Sequence, residues 1–199
     1  MISAIILAAG LSRRMTLGNK LLLEKNNVPI IKTTLERIKA SKVEEIIIVL
    51  GKDSKLILNL IKYEKIKFSI NKNYQYGISS SIKKGIEKVD YKSDGVIICL
   101  GDMPLIKTST YNKIISAFYT NNKKKNIIPY FKKKKGNPVL FSKNFFESLM
   151  RIKGDEGAKQ LMKTKQKDFI SLSTSDKGIL EDIDNESEYL SFIKNEKKY

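Results

Sequence analysis

The segment Ile5 to Met15, IILAAGLSRRM, followed at Lys20 by a lysine that opens an apolar run, constrains this chain more than any other stretch. Met1 to Leu7 is short, apolar and rich in isoleucine, the pattern of a strand buried on both faces. It stops at Ala8, Ala9 and Gly10, residues small enough to let backbone N–H groups approach a phosphate. Ser12 adds a hydroxyl, and Arg13, Arg14 and Lys20 bring fixed positive charge; an arginine can fork two donors onto phosphate oxygens. Such a strand and loop together are built to hold a polyanion.

The remaining pattern repeats this theme. Strand-like apolar runs recur at 45–50, 67–70, 96–100, 126–130, 138–141 and 169–172, separated for the most part by helical periodicity at 29–40, 52–64, 79–89, 109–119, 143–150, 156–163 and 187–194. Alternating strands and helices imply a mostly parallel sheet covered on both faces, an α/β, Rossmann-like, three-layer architecture. The expected organisation is a single domain over 1–199. The last residues, Asn195 to Tyr199, are expected to fray. In such sheets ligands bind at the carboxyl ends of the strands. The loops Ala8 to Lys20, Asn71 to Ser81 and Gly101 to Pro104 each follow a strand, so all three fall on that one edge.

Composition narrows the function. A net charge of +17 invites a nucleic-acid reading, but only four of the 38 basic residues are arginines, and the lysines are scattered through the chain. The runs Lys123 to Lys125 and Lys132 to Lys135 lack an interleaved aromatic pattern and read as solvated turns, so no specific nucleic-acid partner is expected. No apolar run approaches the ~18 residues of a membrane span. No targeting signal is visible at Met1 to Ala4, and the expected compartment is the cytoplasm. Cys99, the single cysteine, reads as a buried thiol. With no histidine in the chain, imidazole metal sites and triads with a histidine base are excluded.

Gly101-Asp102-Met103-Pro104 sets one carboxylate at the tip of an apolar strand. Opposite a phosphate loop, Asp102 is a credible Mg²⁺ ligand, since magnesium takes one or two carboxylates plus substrate phosphates; alone, the same Asp would read equally well as a turn or helix cap. Ser79, Ser80 and Ser81 open a helix, either to read a polar base edge or an anion, or simply as an N-cap with spare serines. Gly136-Asn137-Pro138 and Gly154-Asp155-Glu156-Gly157 are weaker signals that ordinary turns would also give. An acceptor phosphate monoester is already largely a dianion at neutral pH, so its attack needs positioning and charge neutralisation rather than a protein base. The loop has neither P-loop nor G-x-G-x-x-G spacing, which disfavours a plain ATPase or NAD site.

These residues resemble the nucleotidyltransferase superfamily with the signature L-A-[AG]-G-x-[SA]-x-R-M-G-x-x-K, and within it the molybdenum cofactor cytidylyltransferase branch of the MocA/MobA-like NTP transferases. Leu7 to Met15 with Lys20 resembles the head, in the Ala-Ala-Gly form associated with CTP over GTP. Asn73 with Gly77 to Ile82 and Gly85 resembles the branch's serine segment, Gly101 to Pro104 its metal motif, Gly136 to Phe141 its G-[HN]-P-V-L-F, and Gly154 to Ala158 its G-D-x-G-[AG]. Asp182-Ile183-Asp184-Asn185 resembles the closing D-I-D-T, so the resemblance spans residues 2 to about 190. Two positions depart from the pattern: Thr16 stands where a glycine is usual, with Gly18 two residues on, and Asn185-Glu186 stands where Thr-Pro is usual.

The resemblance implies transfer of CMP from CTP to the terminal phosphate of molybdopterin, or of its molybdenum-loaded form, with release of pyrophosphate. It assigns Leu7, Ala8, Ala9, Gly10, Ser12, Arg14 and Lys20 to the triphosphate, and Ser80 and Ser81 to the base. It makes Asp102 a Mg²⁺ ligand with Asp184, or Asp182, as a second carboxylate, and Arg14, Lys20 and Asp102 the catalytic set. Asn137, Pro138 and Asp155 are assigned to the acceptor, the domain is divided into a nucleotide-binding half at 1–105 and an acceptor-binding half at 106–199, and a molybdoenzyme is implied as a further partner. The rival readings are a guanylyltransferase of the same cofactor, a sugar-phosphate or methylerythritol-phosphate cytidylyltransferase, and a non-catalytic molybdoenzyme maturation partner that keeps the fold.

Overall fold

A computed structural model describes residues 1–12, 14–62 and 64–194; Arg13 and the tail 195–199 named above lie outside the described residues. Strand β1 (Ile2–Ala8) is buried along its whole length. A hairpin of β2 (Glu24–Lys25) and β3 (Val28–Pro29) turns at Asn26 and Asn27, both at positive φ, which asparagine tolerates. Then come α1 (Ile30–Lys39), β4 (Glu45–Leu50), α2 (Ser54–Ile61), β5 (Lys67–Ile70), α3 (Ile78–Ile86), β6 (Gly95–Leu100) and α4 (Thr108–Thr120). The second half supplies β7 (Asn126–Phe131), β8 (Lys134–Lys135), β9 (Val139–Ser142), α5 (Phe146–Arg151), α6 (Lys159–Thr164), β10 (Phe169–Ser173) and α7 (Glu186–Lys194).

The main sheet runs β10-β7-β9-β6-β1-β4-β5, with β8 hairpinned onto β7. Strand β1 is parallel to both β4 and β6, β4 to β5, and β7 to β10; β9 is antiparallel to its neighbours β6 and β7. The expected mostly parallel, Rossmann-like sheet is therefore present, and all seven strands read from the sequence occupy it. Because β9 runs against β6, the Gly136–Pro138 segment that enters β9 comes in at the edge where β1, β4, β5 and β6 end.

Side-chain alternation along β1 fills two cores. Ile2, Ala4, Ile6 and Ala8 pack with Ile31, Leu35 and Ile38 of α1, Ile57 and Ile61 of α2, and Tyr111, Ile114 and Phe118 of α4. Ile5 and Leu7 face the other side, against Ile82 of α3 and Leu149 of α5. Gly85 lies on Ile5, where an added Cβ would meet the isoleucine side chain at 2.5 Å, so α3 crosses β1 closely. Cys99 is fully buried and its thiol is pushed up by that burial. Lys132 to Lys135 form the exposed β7–β8 hairpin, a solvated turn as expected.

Element limits differ from the sequence pattern where local chemistry intervenes. Strand β9 begins at Val139 rather than Pro138, since proline has no N–H for the ladder. Helix α6 begins at Lys159, because Gly157 takes φ +54 and interrupts the 156–163 pattern. Residues 143–145 form a 3₁₀ turn before α5. No helix among the described residues is long and apolar enough to cross a membrane.

Candidate active site

A cleft of about 450 Å³ opens at the carboxyl ends of β1 and β6. From β1 and its loop come Leu7, Ala9, Gly10, Ser12, Arg14 and Lys20; from the entry to α3 come Tyr74, Gln75, Gly77 and Ser81; Asp102 follows β6, Asp155 lies between α5 and α6, and Asp182 and Asp184 lie between β10 and α7. The three loops that the sequence placed on one edge thus meet in one cavity.

The loop after β1 is shaped by its own polar groups. Ser12 takes a left-handed φ of 48°, its carbonyl accepts from Met15 N–H at 3.0 Å, and its hydroxyl oxygen accepts from Lys20 N–H at 3.2 Å. Met15 is buried and anchors the loop in the core. Asn19 caps the 3₁₀ turn Lys20–Leu22 by accepting from Leu21 N–H, while its amide donates to Asp53 at 2.8 Å. This turn aims Lys20 back across the strand ends.

Lys20 Nζ lies between Asp102 and Asp184, pairing with Oδ2 of the first and, at 2.6 Å, with Oδ1 of the second. Arg14 Nη2 donates to the other oxygen of Asp184 at 2.6 Å. Asp102 is fixed by its own backbone, whose carbonyl accepts from Ile183 N–H at 3.0 Å, so the end of β6 and the 182–184 segment are tied together. Burial works against the Lys20 ammonium, but the Asp102 and Asp184 charges outweigh it and leave its pKa raised. Burial likewise pushes Asp184 up, and Lys20 and Arg14 overcome it to hold the carboxyl below its ordinary range. Asp182 is raised by burial and by the neighbouring Asp184 charge.

The donor set suits a hard divalent cation. Asp102 Oδ1 is buried without a hydrogen-bond partner, an orphaned carboxylate oxygen beside Asp184. Among the described residues the cleft carries four carboxylates against Arg14 and Lys20. It is an acidic spot in a strongly basic chain, so a polyphosphate bound there would meet net negative charge unless a cation came with it.

The serines divide. Ser81 is buried, lines the cleft and accepts from the Asn71 amide at 3.0 Å. Ser80 is not among the lining residues: its hydroxyl is directed at the carbonyls of Gly77, at 2.8 Å, and Asn73, at 2.9 Å, and it too accepts from Asn71. Ala8 points into the core and is not a lining residue, whereas Leu7, Ala9 and Gly10 are. Asp155 reaches the cleft because Gly154 carbonyl accepts from Ser79 N–H at 3.2 Å, and because Gly77 at φ +95 leaves room for the 154–155 backbone. Asn137 and Pro138 lie outside the lining: Asn137 N–H donates to Ile179 carbonyl at 2.9 Å, and Pro138 is buried at the start of β9.

Three contributors carried no signal strong enough to be singled out. Tyr74 and Gln75 line the mouth from a 3₁₀ turn, and Asn71 organises both serines from a buried position just past β5. Asn71 stands at the end of an apolar strand, where a polar residue marks the ligand edge, and that position was its only clue.

A mostly parallel sheet bearing at one edge a glycine-containing basic loop, with the strand-end Asp102 and the more distant Asp184 meeting at Lys20, defines the class as a nucleotidyltransferase fold. The chain belongs to the family of the MobA-like NTP transferase domain, whose model matches residues 4–169. It is 27% identical over 195 residues to the purine catabolism protein PucB of Bacillus subtilis (strain 168), covering 93% of this chain and 92% of that one. It is 30% identical over 155 residues to a probable molybdenum cofactor guanylyltransferase of Thermococcus sibiricus, covering 74% and 72%. The fold matches the crystal structure of Rv0371C in complex with manganese from Mycobacterium tuberculosis H37Rv, with a TM-score of 0.83, 21% identity and 98% of each chain covered.

Proposed function

We propose that this chain transfers a nucleotidyl group from an NTP to a phosphate acceptor with release of pyrophosphate, with CTP as donor and the terminal phosphate of molybdopterin, or its molybdenum-loaded form, as acceptor. The observation that carries the reaction class is the cleft itself: Lys20 held between Asp102 and Asp184 at the end of the β1 loop, with one Asp102 oxygen left unpartnered. The choice of CTP rests on the Ala8-Ala9-Gly10 form of the loop.

In this reading the N–H groups of Ala9 and Gly10, with Ser12, Arg14 and Lys20, receive the triphosphate. Ser81 and the Asn71 amide behind it face the base. Asp102 and Asp184 hold Mg²⁺, which when bound neutralises the charge of the phosphates and polarises the α-phosphoryl oxygens. Lys20 and Arg14, which pair with these carboxylates here, are the cations that turn to the phosphates. An oxygen of the acceptor phosphate attacks the α-phosphorus in line as the bond to the β-phosphate oxygen breaks. The pair stabilises the charge on the equatorial and leaving oxygens. A dianionic acceptor needs no base, which accords with a chain that has no histidine. Asp155 at the cleft mouth is the residue assigned to the acceptor side. The same reading places the chain in the cytoplasm and makes a molybdoenzyme the recipient of the product.

A second reading, GTP as donor, is favoured by the similarity to the probable molybdenum cofactor guanylyltransferase of T. sibiricus. Both are tested by pyrophosphate release with Mg²⁺ from CTP, GTP, ATP and UTP, each with and without molybdopterin. Release that needs CTP and molybdopterin together is the expected result, and a requirement for GTP instead moves the donor. No release with any pair overturns the molybdopterin reading in favour of another phosphate acceptor or of a non-catalytic maturation partner.

A further inference from the structure

The two positions at which the chain departs from the sequence pattern touch each other. Thr16, in place of the usual glycine, donates its backbone N–H to Glu186 Oε1 at 3.1 Å, and its hydroxyl donates to the same oxygen. Glu186 stands where a proline is usual, and neither glycine nor proline could make the side-chain half of this contact. Beside it, Asn185 and Glu188 form a reciprocal cap at the start of α7. Asn185 Oδ1 accepts from Glu188 N–H at 3.0 Å, while Glu188 Oε2 accepts from Asp184 N–H at 2.7 Å and Asn185 N–H at 3.2 Å. The backbone carrying Asp184 is therefore held by α7, which is seated on the β2–β3 hairpin through Tyr189 and Phe192.

Thr16 does not line the cleft, whereas Arg14, two residues before it, does. Arg14 reaches α7's side of the site through its ion pair with Asp184, and that pair must open if the guanidinium is to turn to a polyphosphate. The Thr16–Glu186 contact makes no demand on the groups that would bind phosphate, so it survives that exchange. We infer that Thr16 and Glu186 are positioning residues, a latch that keeps the β1 loop against α7 while Arg14 and Lys20 change partners from carboxylate to polyphosphate. This rests on the nucleotidyl-transfer reading and assigns that site a loop restraint of its own.

The test is calorimetric titration of CTP, GTP and inorganic tripolyphosphate, with Mg²⁺, into the full chain and its Glu186→Ala, Glu186→Gln, Thr16→Val and Thr16→Val/Glu186→Ala variants, with steady-state kinetics alongside. Glu186→Ala is expected to weaken polyphosphate binding roughly fivefold, about 1 kcal/mol, with turnover at saturating NTP falling by less than affinity. Glu186→Gln, whose amide oxygen still accepts, should restore binding, and the double variant should be no weaker than Glu186→Ala because the two residues act through one contact. Unchanged affinity in Glu186→Ala, or losses that add in the double variant, would overturn the latch while leaving the wild-type reaction standing. A wild-type chain that binds none of the three polyphosphates overturns the nucleotidyl-transfer reading, and the latch with it.

Discussion

Replacing Lys20 by methionine isolates what its ammonium does, because the side-chain length and apolar stem are kept and no core cavity opens. In the wild-type chain the ammonium separates two carboxylates whose side chains are only 14% and 21% exposed. Removing one partner of a fully buried ion pair costs about 3–5 kcal/mol. Because these groups retain some solvent, and because Arg14 still faces Asp184, a cost of roughly 2 kcal/mol is expected here. For a chain of this size that corresponds to a melting temperature lower by roughly 4–8 °C. Differential scanning calorimetry without divalent cation should show this deficit, and millimolar Mg²⁺ or Mn²⁺ should close most of it by taking the ammonium's place. The deficit should also depend on pH. In wild type the depressed Asp184 contributes stability that is present above its unfolded pKa of about 3.9 and is lost as pH falls through its lower folded value. In the variant Asp184 loses the Lys20 contribution that holds its carboxyl down, so that part of its stability is missing above the unfolded pKa, and the difference disappears as pH falls. The two stability curves should therefore converge toward low pH. A variant that melts like wild type without cation, or a deficit that neither cation nor low pH reduces, would refute this account of the site.

Three further outcomes are expected. Asp102→Ala should lower nucleotidyl transfer by more than about 10²-fold while lowering the melting temperature by less than Lys20→Met does, since Lys20 stays paired with Asp184 and no core cavity opens; pyrophosphate-release assays and calorimetry check the two halves. Asp182→Asn should raise the melting temperature at neutral pH, because the raised Asp182 carboxyl costs stability above its unfolded pKa, and the gain should vanish as pH falls below about 4. Gly77→Ala should destabilise by about 2–3 kcal/mol in denaturant unfolding and weaken NTP binding. Its Cβ would sit 2.5 Å from Asp155 Oδ1 and 2.6 Å from Gly154 backbone, at a φ of +95 that L side chains rarely adopt.

The parallel core was legible because β1, β4 and β6 are buried on both faces and so are written as near-continuous isoleucine and valine runs, with polar loops only where the sheet ends. The cleft followed from that, since three such loops must share an edge. Asp102, Lys20 and Arg14 were readable as single residues with clear chemistry. Their arrangement was not: nothing in the spacing says that Lys20 rests between Asp102 and Asp184, because that contact joins residues 164 positions apart and depends on how α7 docks. The serines show the same limit from another side. Ser80 and Ser81 are equivalent in sequence, but one turn of α3 sends Ser80 back to the Gly77 carbonyl and Ser81 into the cleft. Asn137 and Asp155 were equally weak signals, and what separates them is that the 154–157 segment folds over Gly77 while the 136–137 segment packs on Ile179.

Thr16 and Glu186 carry the point further. Taken one at a time, each substitution removes a residue that the pattern favours, a flexible glycine in the loop and a proline after the closing carboxylate. Taken together they supply a donor and an acceptor 170 positions apart that find each other beside the cleft. A glycine lost from a phosphate loop costs conformational freedom, and a direct tie to α7 supplies order in its place. The carboxylate-bearing segment, without its proline, is ordered by the Asn185–Glu188 cap. The two departures therefore belong to one contact, and in the proposed latch that contact fixes the loop that carries Arg14 and Lys20 against the segment that carries Asp184.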